Sequence, residues 1–178
     1  TNNATFTTNE LGGLDAQATL TARYGKTLEK TSAGYDPVGQ IIHCNINYNY
    51  GEDEIAQSDA WIDDIMDNEN VVVDSASVVI RKVTFDAKGN PVLTNETLVE
   101  GTDYEIVQSA TDNRTTFRFL HDIDYAVNIK YDSKVTGIID QDIPGVTNTA
   151  TTGGGTPPSH GSVTIQQQGL IKRVSNVN

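Results

Sequence analysis

The sequence predicts an all-β sandwich, and three observations carry that prediction. Thr, Asn, Asp, Val and Ile are abundant, whereas Leu, Glu, Lys and Ala do not dominate. β-Branched residues suit pleated, half-buried surfaces, and Asn, Asp and Gly suit the turns between them. Short apolar runs, alternating or continuous, recur along the chain with turn residues between them, the pattern of a two-sheet sandwich. Finally, 37% hydrophobic and 20% charged residues over 178 positions are enough to bury a core.

The elements follow in order. Residues 40–48, QIIHCNINY, alternate after their opening pair and read as a long strand. Residues 55–66 fit a helix about as well as a strand, and a strand beginning near Ala60 is the preferred reading. Residues 71–73 and 76–85 are β-branched runs. Residues 85–91, FDAKGNP, form a hairpin turn in which Gly89 is free to take positive φ. Further strands are expected at 104–107, 115–120 and 125–131, the last with clean period-2 alternation, and 145–151 closes the run. Residues 8–13 and the Gly- and Pro-rich stretch 153–161 read as exposed loops that do not continue a strand.

The two ends of the chain resemble each other. Asn2-Asn3-Ala4-Thr5, a Gly-Gly loop, residues 18–21 (ATLT) and residues 28–32 (LEKTS) have counterparts near the other end. These are Asn148-Thr149-Ala150-Thr151, a Gly-rich loop, residues 162–165 (SVTI) and residues 170–175 (LIKRVS). Agreement in order and spacing suggests a repeat. Residues 1–25 would then be the tail of a preceding repeat, 26–152 one β-sandwich module, and 153–178 a loop and the first strand of the next. A chain beginning at Thr1 is expected to be processed or excised from something longer.

Composition also excludes. A formal net charge of −12 repels nucleic acid and anionic head groups, and no stretch reaches a membrane-spanning length. The single cysteine, Cys44, allows no intramolecular disulfide. On a strand, adjacent His43 and Cys44 diverge, which disfavours a dyad. His43, His121 and His160 show no zinc spacing, and the acidic clusters at 52–54, 121–124 and 140–142 match no calcium loop. Neither a metal nor a cofactor is expected. Asn3, Asn95 and Asn113 open glycosylation sequons, relevant only in a host that glycosylates. No phosphate loop or nucleophile elbow is present, so an enzyme that turns over is not expected.

Three motifs in order carry a family resemblance. Leu28-Glu29-Lys30-Thr31-Ser32-Ala33-Gly34-Tyr35-Asp36 with the following strand, then Ala60-Trp61-Ile62-Asp63-Asp64-Ile65, then Val146-Thr147-Asn148-Thr149-Ala150-Thr151 together resemble collagen-adhesin-type domains of Gram-positive bacterial surface proteins. The resemblance spans roughly residues 26–152. It implies an immunoglobulin-like β-sandwich, an extracellular or cell-wall-attached location, and an intramolecular Lys–Asn isopeptide bond. By position, Lys30 would be the amine, Asn148 the acceptor and Asp64 the catalytic carboxyl group, with Lys172 and Asn2 the corresponding residues of neighbouring repeats. Asp64, not Asp63, is expected to face the core beside Ile62, although a shifted register would exchange them. Trp61, Ile62, Phe117 and Phe119 would line a dry pocket.

The chemistry accounts for the residue types. Burial favours a neutral amine and a protonated carboxyl. The amine attacks while the carboxyl donates to the amide oxygen and shuttles protons as ammonia leaves. Fixed geometry supplies the effective molarity. The implied function is a stalk or fibre module of a surface adhesin or appendage, with neighbouring repeats or subunits as partners. Two alternatives stand beside it: a domain binding a host matrix protein or carbohydrate, and a self-assembling subunit completed by neighbouring strands.

Overall fold

The computed structural model describes residues 25–140, 142, 144–154 and 156–165, together with the backbone of two N-terminal strands, β1 (Asn2–Phe6) and β2 (Ala16–Leu20), which pair as an antiparallel hairpin. Ten further strands follow: β3 (Leu28–Asp36), β4 (Ile41–Tyr48), β5 (Trp61–Met66), β6 (Val71–Phe85), β7 (Pro91–Thr97), β8 (Tyr104–Gln108), β9 (Arg114–Phe119), β10 (Ala126–Val135), β11 (Gly145–Thr152) and β12 (Ser159–Thr164). No helix occurs among the described residues. The ambiguous segment before Met66 is therefore a strand, beginning one residue after Ala60.

The strands form two five-stranded antiparallel sheets, in the orders β3-β4-β10-β6-β7 and β12-β11-β5-β9-β8. Their inner faces follow from period-2 alternation. From the first sheet Ile42, Ile46, Tyr48, Ile80, Val127 and Ile129 point inward; from the second come Ile62, Phe117, Phe119, Val146 and Ala150, all buried. Tyr48 stacks on Phe119 across the layer, with ring centroids 5.7 Å apart. The two apolar runs at 71–73 and 76–85 are one strand, β6, whose pairing with β10 slips between Lys130 and Asp132. Across that step β6 carries three more residues than β10, an irregularity that the strand passes through without ending. The β6–β7 turn has Gly89 at φ +83°, as its composition requires.

Two expectations are corrected. The stretch 153–161 is not loop throughout, because Ser159, His160 and Gly161 open β12, which pairs with β11 from Ala150↔Ser159 to Gly145↔Thr164. A boundary at 152 thus cuts a hairpin, and Ile165, beyond it, is fully buried in the same core. The physical reason is proximity to β3: a Cβ on Gly161 would stand 3.1 Å from Ser32 N and 3.2 Å from Thr31 C. Glycine is what lets β12 lie against β3, a role that composition alone presents as flexibility. β7 shows no alternation because its positions are almost all exposed at a sheet edge.

Phe117 is fully buried and packs against Tyr131 with centroids 5.5 Å apart. Phe117→Ala is expected to cost about 3–5 kcal/mol, whereas Val107→Thr, on the exposed edge strand β8, stays within about 0.5 kcal/mol. Equilibrium urea denaturation distinguishes the two. Equal losses would contradict this assignment of the core.

Candidate functional site

The two sheets bring four polar side chains together in the apolar layer. Lys30 and Tyr131 come from the first sheet, on β3 and β10; Asp64 and Asn148 come from the second, on β5 and β11. Each alternates with apolar neighbours and so faces inward: Lys30 follows Leu28, Asp64 follows Ile62, Asn148 stands between Val146 and Ala150, and Tyr131 follows Ile129. Their exposures are 3% for Lys30, 1% for Asp64, 5% for Asn148 and 2% for Tyr131. Burying a charge costs several kcal/mol unless it is paired, so the cluster exists only because its members satisfy one another.

Lys30 Nζ stands 2.8 Å from Asp64 Oδ1, an ion-pair contact without hydrogen-bond geometry. The same Nζ donates a hydrogen bond to the Tyr131 hydroxyl. Tyr131 in turn donates to Asp64 Oδ2 at 2.5 Å. Asn148 Nδ2 donates to Asp64 Oδ2 at 3.0 Å and to the Tyr131 oxygen at 3.2 Å, and lies 3.9 Å from Cys44 Sγ. The amine and the amide nitrogen therefore share both partners, the carboxyl group and the phenol. The carboxyl faces the amide nitrogen, not the amide oxygen as the sequence reading expects.

Burial, reinforced by the adjacent Asp64 charge, pushes the Tyr131 phenol well above its ordinary value, so Tyr131 remains a hydrogen-bond donor. Burial likewise raises the Cys44 thiol, which keeps it from acting as a thiolate. Cys44 faces the core from β4 while exposed His43 turns outward to Asp132, 2.7 Å away.

The structure brings Lys30, Asp64 and Asn148 into one cluster. Asp63 lies on the opposite face, accepting from Thr116 Oγ1 at 2.5 Å and from Arg114 Nη1 at 3.2 Å. Ile62, Phe117 and Phe119 are buried, Phe117 against Tyr131 of the cluster and Phe119 against Tyr48, and Trp61 is half-buried on the other face of β5. Asn2 lies in β1 opposite Leu20; Lys172 lies outside the described residues. Tyr131 is the member that sequence reasoning missed. Its inward orientation is readable from the 125–131 alternation, but its contact with Lys30, 101 positions away, is not. Among the described residues no group of three or more His, Cys, Asp and Glu side chains could hold a metal ion.

No protein-family model and no curated protein sequence matches the chain. Solved structures do match its fold. The N-terminal domain of the Streptococcus gordonii adhesin Sgo0707 aligns with a TM-score of 0.55 at 14% identity, over 79% of this chain and 32% of that one. The collagen-binding domain from a Staphylococcus aureus adhesin aligns at 0.51 and 16% identity, over 81% of this chain and 99% of that one. The Enterococcus faecalis MSCRAMM ACE, described as binding its ligands by the collagen hug model, aligns at 0.51 and 13% identity, over 93% and 60%. The chain thus has the all-β, immunoglobulin-like sandwich fold of these Gram-positive surface-protein domains.

Proposed function

We propose that this chain is a stalk or fibre module of a bacterial cell-surface adhesin or appendage, stabilised by a self-formed isopeptide bond between Lys30 and Asn148. One observation carries the reading: a buried lysine and a buried asparagine from opposite sheets meet at one carboxyl group and one phenol. Asp64 Oδ1 takes a proton from Lys30 Nζ, and the neutral amine attacks Asn148 Cγ. The carboxylic acid so formed exchanges its proton from Oδ1 to Oδ2, on the nitrogen side, and protonates Nδ2 as the Cγ–Nδ2 bond breaks. Of the three amine protons, one stays on the new amide and one leaves with ammonia. The third remains on Asp64 until the departing ammonia carries it away. Tyr131 holds the amine and the amide nitrogen against that carboxyl and is a positioning residue for both. No cofactor enters, and the reaction happens once, so the module is not an enzyme that turns over.

The bond would tie the first strand of one sheet to a strand of the other, so tension on the flanking chain would pass through a covalent path. In the chain-entropy description, closing a loop of this size contributes on the order of 4–5 kcal/mol, a contribution that the lone Cys44 cannot make. The repeated order of elements supports a tandem arrangement with neighbouring repeats as partners and an extracellular location. The hairpin β1–β2 precedes the Lys30 strand, and the hairpin β11–β12 precedes the sequence around Lys172. Collagen binding by proteins of this fold makes a host matrix ligand the alternative. Every described aromatic side chain, however, is buried or half-buried, and the exposed large hydrophobics are aliphatic, which favours the stalk.

Intact mass provides the direct test. The purified chain is expected to be one ammonia lighter than calculated, with Lys30→Ala and Asp64→Ala restoring the full mass; a wild-type mass equal to the calculated value would sink the crosslink. Tyr131→Phe is expected to crosslink at least about tenfold more slowly, on the scale of a misplaced reacting group, as read by time-resolved intact mass. In single-molecule pulling through the flanking residues, Lys30→Ala should release the chain between positions 30 and 148, whereas the wild type should not. Equal extension of the two would refute the mechanical role.

A further inference from the structure

Two buried polar atoms beside the cluster have no hydrogen-bond partner among the described residues: Ser32 Oγ and Asn148 Oδ1. The hydroxyl can donate, and the amide oxygen can only accept. A buried orphan of either kind costs about 1–3 kcal/mol, which makes two complementary orphans at one place a feature to explain. Both residues line the same small cavity, about 10 Å³, together with Lys30, Cys44, Gly161 and Val163.

The register shows how they come to share it. Ser32 lies opposite Cys44 on β4, and Cys44 lies opposite Tyr131 on β10, so the three form one row across the first sheet. Asn148 packs over that row from the second sheet. Its Nδ2 is held by Tyr131 and Asp64 and touches Cys44. An amide presents its oxygen away from its nitrogen, so holding Nδ2 at the Tyr131 side turns Oδ1 away from both proton-bearing groups. The remaining member of the row is Ser32, at the β3 end.

Resting on the crosslink reading above, we infer that Ser32 is the oxyanion donor of the reaction. As the Nζ–Cγ bond forms, the carbonyl π electrons move onto Oδ1. Asp64 stands on the nitrogen side and is occupied with proton transfer there. Ser32 Oγ–H, free of other partners and able to rotate about its C–O bond, donates to the developing charge and keeps its proton. When Cγ–Nδ2 breaks, the electrons return to the carbonyl and the hydroxyl is released. Such donors act strongly where water is excluded. β12 provides that exclusion, since Gly161 lets it close to within 3.1 Å of the Ser32 backbone, measured from the position a Cβ would take.

The test follows crosslinking from its start, by cell-free synthesis of the full chain sampled over time for intact mass. Ser32→Ala is expected to lose ammonia about 10- to 1,000-fold more slowly than wild type, the range for removal of one such donor. Ser32→Thr, which keeps the hydroxyl, is expected to recover most of the rate. In a Lys30→Ala background, where no bond can form, adding Ser32→Ala should leave the urea midpoint unchanged or higher. A wild-type rate in Ser32→Ala, equal slowing by Ala and Thr, or a lowered midpoint in the Lys30→Ala background would each overturn the role of Ser32 while leaving the crosslink standing. Absence of ammonia loss from the wild type would overturn both.

Discussion

A charged amine and a carboxyl group at the centre of an apolar sandwich are tolerated only if they meet, and the contact between Lys30 and Asp64 sets the terms for the surrounding structure. Lys30 sits on the edge strand of one sheet and Asp64 near the middle of the other, so their pairing fixes how the two sheets face one another. Apolar contacts alone resist sliding weakly, because one aliphatic neighbour can replace another. A buried pair with one good partner each does not slide. Removing either member would leave the other charged and unpaired, a loss of about 3–5 kcal/mol in comparable cases.

The other features of the site follow from that constraint. Tyr131 donates to the carboxyl and accepts from the amine, which satisfies both without adding charge. Asn148 uses the lone pairs that remain on Asp64 and Tyr131, and in doing so stands beside the amine. A network that satisfies a buried lysine thus also places an asparagine amide beside its amine, with one carboxyl group in contact with both. On the crosslink proposal, that arrangement would give a domain whose single cysteine allows no internal disulfide a covalent tie made from ordinary side chains.

Much of this architecture is present in the one-dimensional pattern. Residues 40–48 and 125–131 alternate, so the inward positions of Cys44, Ile46, Ile129 and Tyr131 can be read directly. The choice of Asp64 over Asp63 rests on the motif resemblance, and the burial of Ile62 and Met66 on the same face of β5 agrees with it. Lys30 and Asn148 are visible through the resemblance of their motifs, not through period alone. Where alternation is absent, the sequence is silent. β7 has no buried face to reveal it, and β12 begins inside a Gly- and Pro-rich stretch that looks like loop.

The sequence by itself determined the fold class and the inward face of the alternating strands, because these depend on local periodicity, and its motifs carried the resemblance that points to Lys30, Asp64 and Asn148. Only the tertiary structure decided that β12 completes the same sandwich, that Tyr131 bridges Lys30 to Asp64, that the amide of Asn148 presents its nitrogen to the carboxyl, and that Ser32 shares a cavity with the amide oxygen. Each of these is a contact between strands distant in the chain. Such contacts are set by the register of one sheet against its neighbours and by the separation of the two layers, and no local pattern encodes either.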